Sequence, residues 1–365
     1  MPNIPLPERL EDLLPAEAET VDRAARAVLE MLAGFGYRLV MPPLAEALPS
    51  LLAESASDSE LASRTLQLTD PLGGAPIGIR ADITPQLRRI DAQIGSKAIE
   101  RLCYCGPTLY ARPINPWQSR EQLQAGAELF GAQTKPGNAE ILMLAIRAMH
   151  ACGLAELAVA LGHAGIINAL LADLSPEKAA ATRRSITRRD PLAMREHSQQ
   201  LLACARIASV ADLEQLNTAD LPAGAADGFA ELNDVAALLA EAGVETIIDL
   251  PGLAGHEYHN GVTFAVLSGE KIVARGGRYD RAGRSAIGFT ADIRQLASEL
   301  AEARRPEAVA SPAAWHDPAW RAAVDKLAEQ GKQLCLDDET RTQSCRQRLV
   351  HSESGWQVVT GEQSQ

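Results

Sequence analysis

The chain has 365 residues, 46% of them apolar and 22% charged, with a formal net charge of −12. That is enough to bury a full-sized core in two or three domains, which excludes a peptide-sized binding module. The acidic balance opposes the attraction to phosphate backbones on which nucleic-acid binders rely, so nucleic acid is not expected as the main partner.

The first residues, MPNIPLPERLEDLLP, carry prolines and acids where a signal peptide has a basic start and an apolar run. No stretch of about 20 apolar residues occurs, so no membrane partner is expected and the cytoplasm is the expected location. Val21, Ala24, Ala25, Val28, Leu29 and Leu32 recur at helical spacing and predict an amphipathic helix over 17–32, stopped by Gly34 and Gly36. The run YRLVMPPLAE (37–46) is β-prone until Pro42 and Pro43, which cannot continue a central strand, so the chain turns or meets an interface there. Between 65 and 89 the pattern predicts strand, turn, strand and then a helix opened by Asp82, Thr84 and Pro85.

RLCYCGPTLYA and LQAGAELFG flank a loop at 112–118 and read as a long hairpin, with a helix over 138–151 after it. Cys103 and Cys105 fall on one face of the first strand. With the other cysteines at 152, 204, 335 and 345 they form no repeated C-x-x-C and no zinc-finger spacing, so reduced structural thiols and no metal site are expected. From about 165 to 242 the text is rich in Ala, Leu and charge and predicts a helical insertion, in which RRSITRR (183–189) reads as a solvated helix face. Strand text returns at VTFAVLSGEKIVARGGRYD (262–280), with SGEK as the hairpin turn. A final helix over 293–303 leads into the linker-like EARRPEAVASP, and the rest has helix, strand, helix, strand character. The expected division is a large domain over 1–310 and a small α/β domain over 311–365.

Polar residues stand out at strand ends or inside apolar strand text: Asp82 and Thr84, Gln124 and Glu128, Tyr258 and His259, and Arg278 with Tyr279 and Asp280. Alternation puts Gln124 and Glu128 on one face of LQAGAELFG, separated by Ala125, Gly126 and Ala127. Two polar groups on a floor of small residues suit a small ligand that presents donors, such as an ammonium and an imidazole. Spacing alone favours both facing solvent on an open sheet side, and Tyr279 alone being a core aromatic whose hydroxyl has a partner.

GGRYD (276–280), preceded by Ala274 and Arg275, is similar to the histidine-recognition signature of the histidyl-tRNA synthetases and their paralogues. GHEYHNGVTF (255–264) resembles a decayed copy of their second signature, and IRADITPQLRR (79–89) resembles their Arg-Pro-acid-x-Thr segment. SREQLQAGAELFG (119–131) resembles the end of class II motif 2, and YRLVMPPLAE resembles motif 1 with its dimer-interface proline. The matches run in the family's order over about residues 5–300. The resemblance implies an α+β fold: a class II aminoacyl-tRNA synthetase-like core with a mostly antiparallel sheet flanked by helices, a helical insertion and a small C-terminal α/β tail. It also implies a histidine pocket, with Asp82, Thr84 and Gln124 around the amino-acid backbone groups, Glu128 and Tyr279 around the imidazole, and Tyr258 and His259 as further pocket residues. His259 stands where the family has a tyrosine.

The departures are as informative. Tyr110 in GPTLYARP (106–113) stands where the motif 2 arginine would grip the α-phosphate, and no adenine-reading Glu follows. GFTADIRQL (288–296) lacks the Gly-Leu-Glu-Arg that ends motif 3, and Ala254 aligns with the arginine of the second signature. The tail is shorter than the synthetases' anticodon-binding domain. This shortened form with degraded motifs is similar to the paralogues that act as regulatory subunits beside the short form of ATP phosphoribosyltransferase. The resemblance implies a non-catalytic chain with no cofactor, a dimer through the class II core, the short-form catalytic subunit as partner, L-histidine as feedback effector and no tRNA partner. A degenerate amino-acid-activating ligase and a free-standing histidine sensor are the alternatives.

Overall fold

The computed structural model describes residues 5–52, 59–113, 118–197, 199–219, 221–253, 259–281, 283–300, 308–336 and 345–360. The chain divides into two units, Met1–Ala301 and Glu302–Gln365.

The large unit opens with helix α1 (Pro15–Gly34), whose apolar stripe Val21, Ala24, Ala25, Val28 and Leu32 is buried. Strands β1 (Arg38–Leu39) and β2 (Ala45–Ala47) bracket Pro42 and Pro43, and the short helices α2 (Leu48–Leu51) and α3 (Ser59–Arg64) follow. β3 (Leu66–Thr69) and β4 (Pro76–Ile79) join β2 in a three-stranded sheet, and α4 (Thr84–Ile94) starts with Pro85 in its first turn. The long hairpin is β5 (Glu100–Leu109) paired antiparallel with β6 (Glu121–Phe130), and α5 (Thr134–Cys152) begins a turn earlier than the sequence suggests.

β7 (Ala158–His163) precedes the insertion, which comprises α6 (Ala164–Leu170), α7 (Pro176–Thr187), α8 (Pro191–His197), α9 (Gln199–Ala205), α10 (Val210–Glu214) and α11 (Ala223–Glu241). β8 (Glu245–Ile248), the hairpin β9 (His259–Ser268) and β10 (Lys271–Arg281), then β11 (Arg284–Asp292) and α12 (Ile293–Ala297) complete the unit. The strands form one sheet in the order β1-β5-β6-β11-β10-β9-β7-β8, antiparallel from β5 through β7, with a parallel strand at each edge. One face buries Ala125, Ala127, Leu129, Phe264, Ile287 and Phe289 together with apolar residues of α1, α5 and α11. The other face packs Leu102, Tyr104, Phe130, Tyr279 and Ala286 under Ile83 and Leu87, beside and within α4. This is the sheet flanked by helices that the class II likeness implies.

Three elements differ from the sequence reading, which names no strand at β7 or β8. All but the first residue of β7 are buried, so its Ala-Val-Ala-Leu text is not distinguishable from a buried helix, and β8 is only four residues long. α12 was expected to run to Ala303 but ends at Ala297; there Ser298 donates to the Gln295 carbonyl (2.7 Å), an alternative partner for an end carbonyl that the next helical turn would otherwise serve.

In the small unit, β12 (Ala308–Ser311) lies between parallel partners β13 (Gln333–Leu336) and β14 (Gln347–Ser352), and β15 (Gly355–Thr360) closes a hairpin with β14. Helix α13 (Pro318–Glu329), capped by Asp317, contributes the fully buried Trp320, whose indole N–H donates to Ser311 Oγ (2.9 Å). The expected boundary at 310/311 is therefore corrected: the stretch read as linker contains an interior strand, with Val309 and Ala310 in the core. Its short, small-residue text gave no periodic signal. The second helix expected in the tail falls outside the described residues.

The turn through Pro42 and Pro43 is held by Arg80, which is 4% exposed. Its guanidinium donates to the carbonyls of Pro107 (2.8 Å) and Pro42 (2.8 Å), while Gln86 donates to the Pro43 carbonyl (2.8 Å). Charge-assisted bonds at a buried site are costly to remove, so Arg80→Ala is expected to lower the unfolding free energy by about 3 kcal/mol. Arg38→Ala, at an exposed pair with Glu100, should change it by less than about 1 kcal/mol; urea denaturation of both variants measures the contrast.

Candidate effector pocket

Strand register assembles the pocket. Glu128 on β6 lies opposite Gly288 on β11, which lies opposite Gly277 on β10. One pair further along, Gly126 faces Thr290, which faces Arg275; in the other direction Phe130 faces Ala286, which faces Tyr279. The glycines are required by the close approach of side chains: a Cβ at 288 would sit 2.1 Å from Glu128 Oε2, and one at 126 would sit 2.8 Å from Tyr104 Oη.

Glu128 is the centre of this floor. Its side chain is 2% exposed and accepts from Thr84 Oγ1 (2.9 Å) and Tyr279 Oη (2.9 Å). Thr84 is presented by the first turn of α4, where the Asp82 carboxylate accepts from the Thr84 backbone N–H (3.4 Å) in a local side-chain turn. Gln124 is buried and its carbonyl oxygen accepts from the Ile83 N–H (3.1 Å), which ties the sheet to the segment that enters α4. His259 is buried at the start of β9, opposite Tyr279, with its ring against Gly277. The structure thus brings Asp82, Thr84, Gln124, Glu128, His259 and Tyr279 to one face of the sheet, while Tyr258 lies outside the described residues.

Burial raises the Glu128 carboxyl from 4.5 to about 7; hydrogen bonds from Tyr279 and Thr84 oppose the rise, the nearby charge of Asp82 adds to it and Arg88 lowers it. Arg88 stacks over the Tyr279 ring at 5.2 Å. Two residues absent from the sequence-based set share the floor. Tyr104, fully buried, bonds through its hydroxyl to Thr290 Oγ1 (2.5 Å), and burial holds its pKa well above 10. The parity of Tyr104 with Leu102 was the available signal. Arg278 and Asp280 do not join the pocket: Asp280 is exposed, and Arg278 turns to the opposite face.

There Arg278 donates to Asn138 Oδ1 (2.8 Å), Ser285 Oγ (2.6 Å) and the Thr134 carbonyl (3.0 Å). Asn138 donates to Glu231 on α11 (2.6 Å), whose other oxygen meets His163 Nε2 (3.3 Å). This buried chain fastens the GGRYD strand to the insertion.

The positions that depart from the synthetase pattern have internal roles. Tyr110 is buried, donates to Gln122 Oε1 (2.9 Å) and lies under the Arg64 guanidinium at 5.7 Å. Asp292 caps α12 by accepting from the N–H of Arg294 (3.1 Å), and Arg294 pairs with Glu121 (3.1 Å). Arg120 donates to the Tyr110 carbonyl (2.8 Å), whereas Arg112 is exposed. Ala254 lies outside the described residues. Among the described residues no His, Cys, Asp and Glu group is placed to hold a metal, and no helix is long and apolar enough to cross a membrane.

An antiparallel sheet with polar acceptors on a glycine floor beneath a helix N-terminus defines a class II synthetase-like core. The histidyl-tRNA synthetase family model matches residues 9–296. Two solved structures share the fold: a Bacillus halodurans ATP phosphoribosyltransferase regulatory subunit/histidyl-tRNA synthetase (TM-score 0.80, 23% identity, covering 93% of this chain and 94% of that one) and a Nostoc histidyl-tRNA synthetase (TM-score 0.76, 14% identity, covering 98% and 97%). The ATP phosphoribosyltransferase regulatory subunit of Cupriavidus necator is 38% identical over 97% of this chain and 98% of its own length, and that of Burkholderia multivorans 37% over 97% and 98%. The chain belongs to the ATP phosphoribosyltransferase regulatory subunits, within the histidyl-tRNA synthetase family.

A carboxyl with a raised folded-state pKa binds its proton more tightly in the folded state. Its contribution to stability is therefore fully present below about 4.5 and is lost as pH rises to about 7. Glu128→Gln removes the titration, so the stability of the wild type relative to the variant should fall by about 3 kcal/mol across that window. Denaturant titrations at stepped pH measure the difference, and a flat difference would refute the assignment.

Proposed function

We propose that this chain is a non-catalytic, cytoplasmic regulatory subunit of ATP phosphoribosyltransferase, which activates the short-form catalytic subunit and transmits feedback by L-histidine bound at the Glu128 pocket. The observation that carries this reading is a contrast within one site. The acceptors suited to histidine converge on the sheet floor, with Glu128 bonded to Thr84 and Tyr279. The motif 2 position that would grip a nucleotide is committed to the fold, with Tyr110 bonded to Gln122, and Gln295 stands where motif 3 would end in arginine. An electrostatic contact made in the transition state is worth about 3 kcal/mol or more, so a chain that lacks three such arginines would activate an amino acid slower by many orders of magnitude.

The relatives' names support the assembly role, and the pocket supports the effector. Feedback needs histidine to bind two assembly states with different affinity, a coupling of about 1–3 kcal/mol. The decisive assay is phosphoribosyl-ATP formation by the short catalytic subunit alone, with this chain, and with this chain plus histidine. Activation by the chain and inhibition by histidine are the expected results, and Glu128→Ala should remove the inhibition while leaving the activation. Histidine-dependent exchange of pyrophosphate into ATP above background would instead favour the ligase reading.

Self-association through the class II core is part of the same proposal. Leu39, Met41 and Leu44 are 45%, 79% and 44% exposed beside the edge strand β1, an apolar group that a second copy would cover. Met41→Asp with Leu39→Asp is expected to convert a dimer to a monomer in light scattering after size exclusion, with histidine binding retained; an unchanged mass would place the interface elsewhere.

A further inference from the structure

We infer that Arg275 receives the α-carboxylate of the effector, so that the pocket selects a free α-amino acid over analogues that lack the acid. The inference rests on the histidine reading above and adds to it the group that the pocket otherwise lacks. A zwitterion has one positive and one negative end. Asp82 and Glu128 serve the positive end and the ring donors, and Thr84, Gln124 and Tyr279 are neutral. The cation at the Glu128 end, Arg88, is stacked on the Tyr279 ring.

Arg275, Gly277 and Tyr279 alternate on β10 without a break in their pairing to β11, so all three face the pocket. Arg275 lies in the Gly126–Thr290 row, one step from the Glu128–Gly288–Gly277 row toward Gln124. One step of two residues is roughly 7 Å, comparable to the reach of a histidine from ring to carboxylate. A ligand with its imidazole at Glu128 and its backbone end at Gln124 therefore directs its carboxylate to the Arg275 row. The floor of that row is low, because Gly126 leaves room for Tyr104 to reach Thr290.

Arg275 makes no hydrogen bond or ion pair among the described residues. Its side chain is exposed to solvent, and neighbouring protein, then the like charge of Arg64, lower its pKa. Two guanidinium groups near enough to repel each other favour an anion between them, and Arg275 can bind a carboxylate with two parallel N–H donors.

The test is calorimetric titration of the full-length chain with L-histidine and with L-histidinol, in which a hydroxymethyl group replaces the carboxylate. Wild type should prefer histidine at least tenfold. Arg275→Ala should weaken histidine at least tenfold, to the histidinol level, without changing histidinol, and Arg275→Lys should fall between. Equal affinity of the wild type for both ligands would overturn the inference while leaving the effector reading intact. So would an alanine variant that keeps the preference, or one that loses both ligands equally. Absence of histidine binding by the wild type would overturn the effector reading and this inference with it.

Discussion

Taking the Glu128 carboxyl out of water under α4 costs several kcal/mol of hydration, and the surrounding structure is arranged to offset that cost. Two hydroxyls, from Thr84 and Tyr279, donate to its two oxygens. One comes from the start of a helix and the other from a strand 151 residues away in sequence, so the bonds cannot form until the sheet and helix are both in place. The glycine at 288 follows from the same constraint, since a bulkier neighbour there would occupy the carboxyl's own space, whereas a Cβ at 277 would meet the His259 ring.

The opposite face of the sheet solves a different problem. Arg278 carries a charge into the interior, and burial lowers its pKa. It keeps the charge by filling its donors with Asn138, Ser285 and a backbone carbonyl, and by reaching the Glu231 carboxylate through Asn138. A direct ion pair would need α11 closer to β10; the asparagine spans the gap and lets α5 pack between them.

How much of this was legible in the sequence depended on local pattern. The hairpins of β5 with β6 and β9 with β10 announced themselves by apolar runs around turn residues, and GGRYD together with the alternation of Gln124 and Glu128 pointed to the floor. β7 was hidden because a strand buried on both faces has no polar alternation, and β12 because four small residues carry no period. Arg80 and the Tyr104–Thr290 contact were invisible for another reason. Their roles depend on register between strands as far as 186 residues apart, which no local window contains. In the sequence Arg275 is only a neighbour of the signature, and its place on the pocket side follows from the unbroken β10–β11 pairing.

Consecutive residues of β10 are anchored on opposite sides of the sheet, Arg278 to α5 and Tyr279 to Glu128. The strand works as a rivet through the plate. Sliding it by one residue would send the tyrosine toward the helices and the arginine toward the carboxylate, so neither slippage nor rotation about its axis is a low-energy motion. A disturbance that reaches Tyr279 therefore meets a strand that is also fastened to α5 and, through Asn138, to α11.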